Sequence, residues 1–326
     1  MSRARFARGA TGVSLVLSLL GGPLSAGDGG MDMLIDRDIS PSAVARGGSE
    51  AFTMAAAALK PSTVKNTFEI SAMFLPDGVS AQELGWLTLI AKRPWHFSLL
   101  HFSSDAAAMS GSGEALGDLN LRFVRVGAGT GIRLAKTPLV IGGDVRFLNQ
   151  RTYIYERNYL SFDASAIWSP TNVPLRFAFN MRNLGFDLFN VVRLFNPLTN
   201  QAIGSSSYSN MYIGTLPLTF SFATGFGIEK FIIEAALDYS PLPLASSLAA
   251  WGGGEFQGRA GVSFSPLPWL TLMAGWRTRG AADSVFTGGI SFVFKLGDLP
   301  MNWRYAIEPT PGFDPTHFVG LSIRFP

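Results

Sequence analysis

Thr316-His317-Phe318-Val319-Gly320-Leu321-Ser322-Ile323-Arg324-Phe325-Pro326 ends the chain on a two-residue alternation. Successive side chains of a strand point to opposite faces, so Val319, Leu321, Ile323 and Phe325 share one face and Gly320, Ser322 and Arg324 the other. A strand of this kind, ending on an aromatic, suits two architectures. It closes the sheet of an outer-membrane barrel, or it is the last strand of a soluble sandwich. The segments upstream decide between them.

The 326 residues are 47% hydrophobic and 15% charged, against about 25% charged in an average soluble domain. No stretch offers the ~18 continuous apolar residues of a membrane helix. The apolar character is spread instead through short alternating segments, which points to β-structure. With no cysteine there is no disulfide framework, thiolate metal site or acylated lipobox. Residues 1–26 read as a signal peptide: Arg3, Arg5 and Arg8 precede a short apolar core at 13–20, and Pro23-Leu24-Ser25-Ala26 ends on a small residue. Cleavage after Ala26 takes Lys+Arg from 26 to 23, level with Asp+Glu at 23. The basic pI therefore gives no argument for nucleic acid.

Residues 27–64 form a lead-in or plug segment that is not strand-like. Its stretch at 51–60 suits a short helix stopped before Pro61. From residue 65 to 326 alternation dominates. In one segment Leu175, Phe177, Phe179 and Met181 oppose Arg176, Ala178, Asn180 and Arg182. Many segments run ~10 residues, enough to cross a bilayer at a tilt, where soluble strands average ~5–6. The gaps alternate in length. Those at 136–138, 169–173, 224–225, 266–268 and 297–299 are short. Those at 150–158, 184–210, 240–254, 279–284 and 308–315 are longer. Short turns on one side and long loops on the other define a transmembrane antiparallel β-barrel. Taking 118–135 as one long strand, interrupted at Gly127, Gly129 and Gly131, keeps that alternation and gives an all-β barrel of about 14 strands. Trp95, Trp168 and Trp269 sit beside tight turns, where an interfacial girdle belongs.

Asn302-Trp303-Arg304-Tyr305-Ala306-Ile307-Glu308-Pro309, Gly312, Thr316-His317 and the ending Leu321-Ser322-Ile323-Arg324-Phe325 resemble the C-terminal signature of PorV/PorQ-type proteins. These are relatives of the FadL-like long-chain fatty-acid channels, with similar proteins in spirochaetes. Gly142-Gly143-Asp144-Val145-Arg146-Phe147, and Phe162-Asp163-Ala164-Ser165-Ala166 leading to Asn180-Met181-Arg182-Asn183-Leu184-Gly185, fit the same pattern. The N-terminal part departs from it: Leu59-Lys60-Pro61-Ser62-Thr63 stands where the family often carries an Asn-Pro-Ala-Gly element near a hatch. The resemblance implies a barrel of roughly 14 strands in the outer membrane of a diderm bacterium, and an irregular strand as a sideways exit.

No enzyme, cofactor or metal site is expected. His96, His101 and His317 lack the spacing of a triad or ligand set. Gly127-x-Gly129-x-Gly131 runs into strand-like sequence rather than a helix, so it is no phosphate loop. With apolar faces toward lipid, Asp144, Arg146, Asp163, Arg176, Asn180, Arg182, Glu234, Asp238, Arg259, Arg277, Lys295, Arg304 and Arg324 face the lumen. Most would neutralise one another. Some arginines, with Arg146, Arg176 and Arg182 as candidates, would hold a carboxylate through two N–H donors. The expected substrate pathway is Gly127, Gly129 and Gly131 together with these arginines. Phe186, Phe189 and Phe195 in the 184–210 loop form a lid or docking surface, and Phe325 serves barrel assembly. Two functions stand open. The first is uptake of long-chain fatty acids or other hydrophobic small molecules. The second is a PorV-like accessory that docks secreted proteins without transport of its own. The expected partners are membrane lipid, a hydrophobic ligand, the barrel-assembly machinery and, under the second reading, secreted proteins.

Overall fold

The computed structural model describes residues 66–75, 80–109, 115–152, 155–187, 191–195, 202–207, 218–241, 254–279, 283–310 and 313–325. The expected signal peptide and the 27–64 segment lie outside these residues, as does Phe189. The described residues form strands and their turns: β1 (Thr67–Phe74), β2 (Ser80–Ile90), β3 (Arg93–Met109), β4 (Ala115–Arg133), β5 (Leu139–Thr152), β6 (Tyr155–Trp168), β7 (Leu175–Asp187), β8 (Val191–Phe195), β9 (Ala202–Ser207), β10 (Thr219–Ile228), β11 (Phe231–Pro241), β12 (Gly254–Leu267), β13 (Leu270–Arg279), β14 (Asp283–Leu296), β15 (Leu299–Thr310) and β16 (Phe313–Arg324).

All strands but β8 and β9 pair antiparallel with their neighbours in one ring of 14. The seam is β1 against β16, running from Thr67 opposite Arg324 to Phe74 opposite His317. It continues one residue further, where the Phe325 N–H donates to the Asn66 carbonyl at 2.7 Å. Strands β8 and β9 form a hairpin outside the ring. Among the described residues it pairs with the far end of β6, Tyr155 opposite Leu194 and Glu156 opposite Arg193. A closed sheet leaves no edge unpaired, which is why alternating sequence of this length closes on itself rather than staying open.

The alternation sorts the two faces. Ile70, Leu84, Val126, Val145, Phe179, Phe222, Leu237 and Phe286 are exposed on the outer face, an apolar band of the kind that meets lipid chains. Aromatics ring it near the tight turns: Phe231 stacks on Phe264 with centroids 4.5 Å apart, and Trp269, Phe292 and Trp303 form a ladder at 6.2 and 5.7 Å. Phe325 takes the outer face as the sequence indicates, and is exposed.

Several boundaries differ from expectation. The turn expected at 224–225 lies at Glu229 and Lys230, where Glu229 takes a φ of 44°; Gly225 and Gly227 are inside β10. The gaps at 150–158 and 308–315 are largely filled, because β5 and β6 run on to Thr152 and Tyr155, and β15 and β16 to Thr310 and Phe313. The stretch 184–210 is not all loop. Phe186 continues β7 opposite Leu160, and Phe195 ends β8.

Candidate functional site: the lumen wall

Inward positions of neighbouring strands line up in diagonal rows, because the register carries each lumen-facing residue onto another across the hydrogen bonds. One row is apolar almost throughout. Met273 on β13 faces Gly289 on β14, which faces Ala306 on β15, and then Phe318 on β16. Phe318 faces Met73 on β1, followed by Ala81 on β2, Phe102 on β3 and Phe123 on β4. The row ends at Gln150 on β5. Phe318, Met73 and Phe123 are fully buried at 0%, and Phe102 at 3%. Strand tilt makes the row climb. It starts near the tight-turn end, at the fourth residue of β13, and finishes well up β4. The sequence shows inward and outward faces but not this row, which exists only through register.

Charged residues fill neighbouring inward positions, and they are paired. Arg125 Nη2 lies 2.9 Å from Glu83 Oε1, Arg304 Nη2 2.5 Å from Glu69 Oε1, and Arg277 Nη2 2.5 Å from Glu308 Oε1. Asp238 takes Arg259 at 2.7 Å and Arg182 at 3.6 Å. Arg176 and Glu234 are 3.9 Å apart. Arg146 bridges two carboxylates that oppose each other on β5 and β6, at 2.6 Å to Asp163 and 3.4 Å to Asp144. In these pairs the guanidiniums match the carboxylates one for one. These pairs are neutral as a set, the first of the two roles expected for the lumen charges, while buried Arg157 donates to the Tyr159 hydroxyl at 2.8 Å. Arg146, Arg176 and Arg182 each face a carboxylate of their own wall. Arg176 has the longest of these separations and the most exposed side chain, at 30%.

Glu69, Glu83, Arg125 and Glu308 are absent from the expected set. Glu69 alternates with Phe68 and Ile70, a pattern that marks it as lumen-facing. Glu308 falls in the gap expected at 308–315, and Arg125 is overshadowed by the glycines after it. His317 lies on the outer face, where its Nδ1 is 2.8 Å from the Tyr305 hydroxyl.

The interruption expected at Gly127, Gly129 and Gly131 is not there. β4 keeps unbroken register with β5 through all three, and with β3 through Gly127 and Gly129 as far as Thr130. Their side of the strand faces the lumen, and absent side chains make room. A Cβ on Gly127 would lie 2.8 Å from Ser98 Oγ and 3.4 Å from Arg146 Cγ. Gly127→Val is therefore expected to cost about 1–3 kcal/mol by overpacking, despite valine's liking for strands. Urea unfolding from lipid vesicles measures it, and a stabilised variant would show that the wall is loose here.

Register shifts in the ring fall elsewhere: at the Met109 end of β3–β4, at Phe264/Leu267 in β12–β13, at Glu308/Thr310 in β15–β16, and in mid-strand on β7. The register of β7 against β6 shifts between Phe162 and Ala164. Asn183 takes a left-handed φ of 60° there, and its N–H donates to Asp163 Oδ1 at 2.9 Å. The extra residue makes a β-bulge, which twists the strand and re-aims its side chains.

No protein-family model matches the sequence, and no curated protein matches it. Solved structures do match in fold. The toluene transporter TodX of Pseudomonas putida aligns at a TM-score of 0.54 and 10% identity, covering 87% of this chain and 96% of that one. A deltaS2 mutant of the TodX monoaromatic hydrocarbon channel aligns at 0.55 and 10%, covering 88% and 99%. At this identity the likeness is one of fold: a closed antiparallel 14-stranded barrel of the outer-membrane kind.

Proposed function

We propose that the protein is an outer-membrane channel of a diderm bacterium for hydrophobic small molecules, with long-chain fatty acids as its substrate class. The observation that carries the reading is the apolar row from Met273 to Phe123. An acyl chain crossing the lumen needs apolar side chains that replace lost hydrocarbon contact at each step; this row supplies them, and because they are packed and buried in this structure, passage requires them to move apart. The neutral ion pairs beside it hold no net charge to attract ions. Arg176 is our choice for a carboxylate headgroup, since its side chain is the most exposed of the three expected arginines. Gly127, Gly129 and Gly131 line the path without opening it. The sideways exit implied by the family resemblance falls at the β7 bulge rather than at β4. The likeness to a toluene transporter supports a hydrophobic substrate, and the C-terminal signature supports the PorV/PorQ-type branch of the FadL-like channels. Phe325 is proposed as the residue that the assembly machinery reads.

Uptake of a labelled long-chain fatty acid, in cells without a channel of their own, tests this. Wild type should restore uptake. Phe102→Gln with Phe123→Gln should reduce it about ten-fold at equal surface level, since burial of one such ring is worth ~1.5–3 kcal/mol. Absence of uptake by correctly inserted wild type would remove the transport reading. It would leave the docking of secreted proteins, for which the β8–β9 hairpin beside the far end of β6 is the natural platform.

A further inference from the structure

The tight-turn end of the barrel carries an unbalanced charge. Lys92 and Arg93 at the β2–β3 turn, Arg133 and Lys136 at β4–β5, Lys230 at β10–β11, Lys295 at β14–β15 and Arg324 at the end of β16 are all exposed. Glu229 and Asp298 are the acids among the described residues there. The cations are spread over five of the seven strand junctions at this end, not gathered on one side. The two remaining junctions have no charge and present Trp168 and Trp269, exposed at 44% and 49%.

Each cationic junction also sets its charge beside an exposed apolar side chain. Ile90 precedes Lys92, Leu134 separates Arg133 from Lys136, and Ile228 and Phe231 flank Lys230. Leu296 follows Lys295, and Phe325 follows Arg324. A protein docking from water would meet these greasy groups at a cost. A lipid layer meets both kinds, because hydrocarbon ends and phosphate begins within a few ångströms. Arg133, Lys295 and Arg324 sit on lumen-side positions at the mouth, and their long side chains suit reaching back to that layer. Cations close to an anionic bilayer surface are attracted to it.

We infer that this rim is a binding surface for the anionic phospholipid headgroups of the leaflet on the tight-turn side, held at the five cationic junctions spread around the barrel. The inference rests on the membrane placement proposed above and not on the substrate. The test uses full-length protein in nanodiscs made with equal amounts of phosphatidylglycerol and phosphatidylcholine. Lipids retained after detergent extraction are counted by native mass spectrometry. Wild type should retain phosphatidylglycerol in excess, and the excess should shrink in high salt as charges are screened. A variant with Lys92→Gln, Arg93→Gln, Lys136→Gln and Lys230→Gln should lose the preference. Replacing the three lysines by arginine should keep it. Equal retention by wild type, a preference indifferent to salt, or a preference kept by the glutamine variant would each overturn the inference. Heat-modifiable migration on a gel is scored in the same samples. A barrel that inserts without lipid preference defeats the headgroup binding alone, whereas a chain that never inserts defeats the membrane placement as well.

Discussion

Asp238→Ala is expected to lower the unfolding free energy of the barrel by about 3–5 kcal/mol. Asp238 is 6% exposed and receives guanidiniums from two other strands, Arg259 of β12 at 2.7 Å and Arg182 of β7 at 3.6 Å. Removing it leaves two like charges on one wall without the carboxylate set between them. The loss is mostly the penalty for two cations held in a poorly hydrated place, not the worth of the pairs themselves. A triple variant, Arg182→Met with Asp238→Ala and Arg259→Met, should therefore recover most of the stability. Asp238→Asn should fall between, because an amide oxygen still accepts. Tryptophan fluorescence during urea unfolding from vesicles reads all three. A loss under about 1 kcal/mol for Asp238→Ala would mean that water screens the lumen as it screens an exposed pair.

Asp163→Ala is expected to cost about 3 kcal/mol and to free the bulge in β7. Asp163 accepts from Arg146 Nη2 at 2.6 Å and from the Asn183 N–H at 2.9 Å. The second bond stabilises a non-glycine residue in the left-handed region, a conformation that costs about 1–2 kcal/mol by itself. Without the acceptor, Asn183 loses its reason to stay there, and its amide should exchange with deuterium much faster than its neighbours in β7. Asp163→Asn keeps an acceptor but not the charge. It should preserve slow exchange at Asn183 while losing the ion-pair contribution of Arg146. Fast exchange in both variants would show that charge, not the hydrogen bond, sets the bulge.

The ring was legible in the sequence because its cause is local. Phe177 and Arg176 differ in polarity, adjacent side chains point to opposite faces, and nothing distant is needed to sort them. Gap lengths then put the strands in order, including β4 as one long strand rather than two. Errors came where one residue type serves two purposes. Thr224 and Gly225 look like a turn, yet they lie in β10. The true turn at Glu229 and Lys230 has no glycine to announce it. Gly127 misled in the same way, since room for Arg146 leaves the same mark in the sequence as a kink. The apolar row and the ion pairs were beyond reach for another reason. Phe318 and Met73 meet only because the first and last strands pair in one register, and Arg304 finds Glu69 across that same seam. The bulge is of this kind too: Asn183 reads as ordinary strand until Asp163, on the neighbouring strand, is placed beside it.

The seam between β1 and β16 also decides which injuries the molecule survives. The ring is fastened only when its first strand meets its last, so a chain missing part of β16 is no smaller channel. It is an open sheet with two adhesive borders, each ready to join another chain. Once fastened, the sheet has no border at which unravelling can begin. A protease that nicks the β8–β9 hairpin cuts outside the hoop, and the hoop stays whole. Wear at the far end is then a loss of ornament, while trimming a few residues from the closing strand unbuckles the molecule.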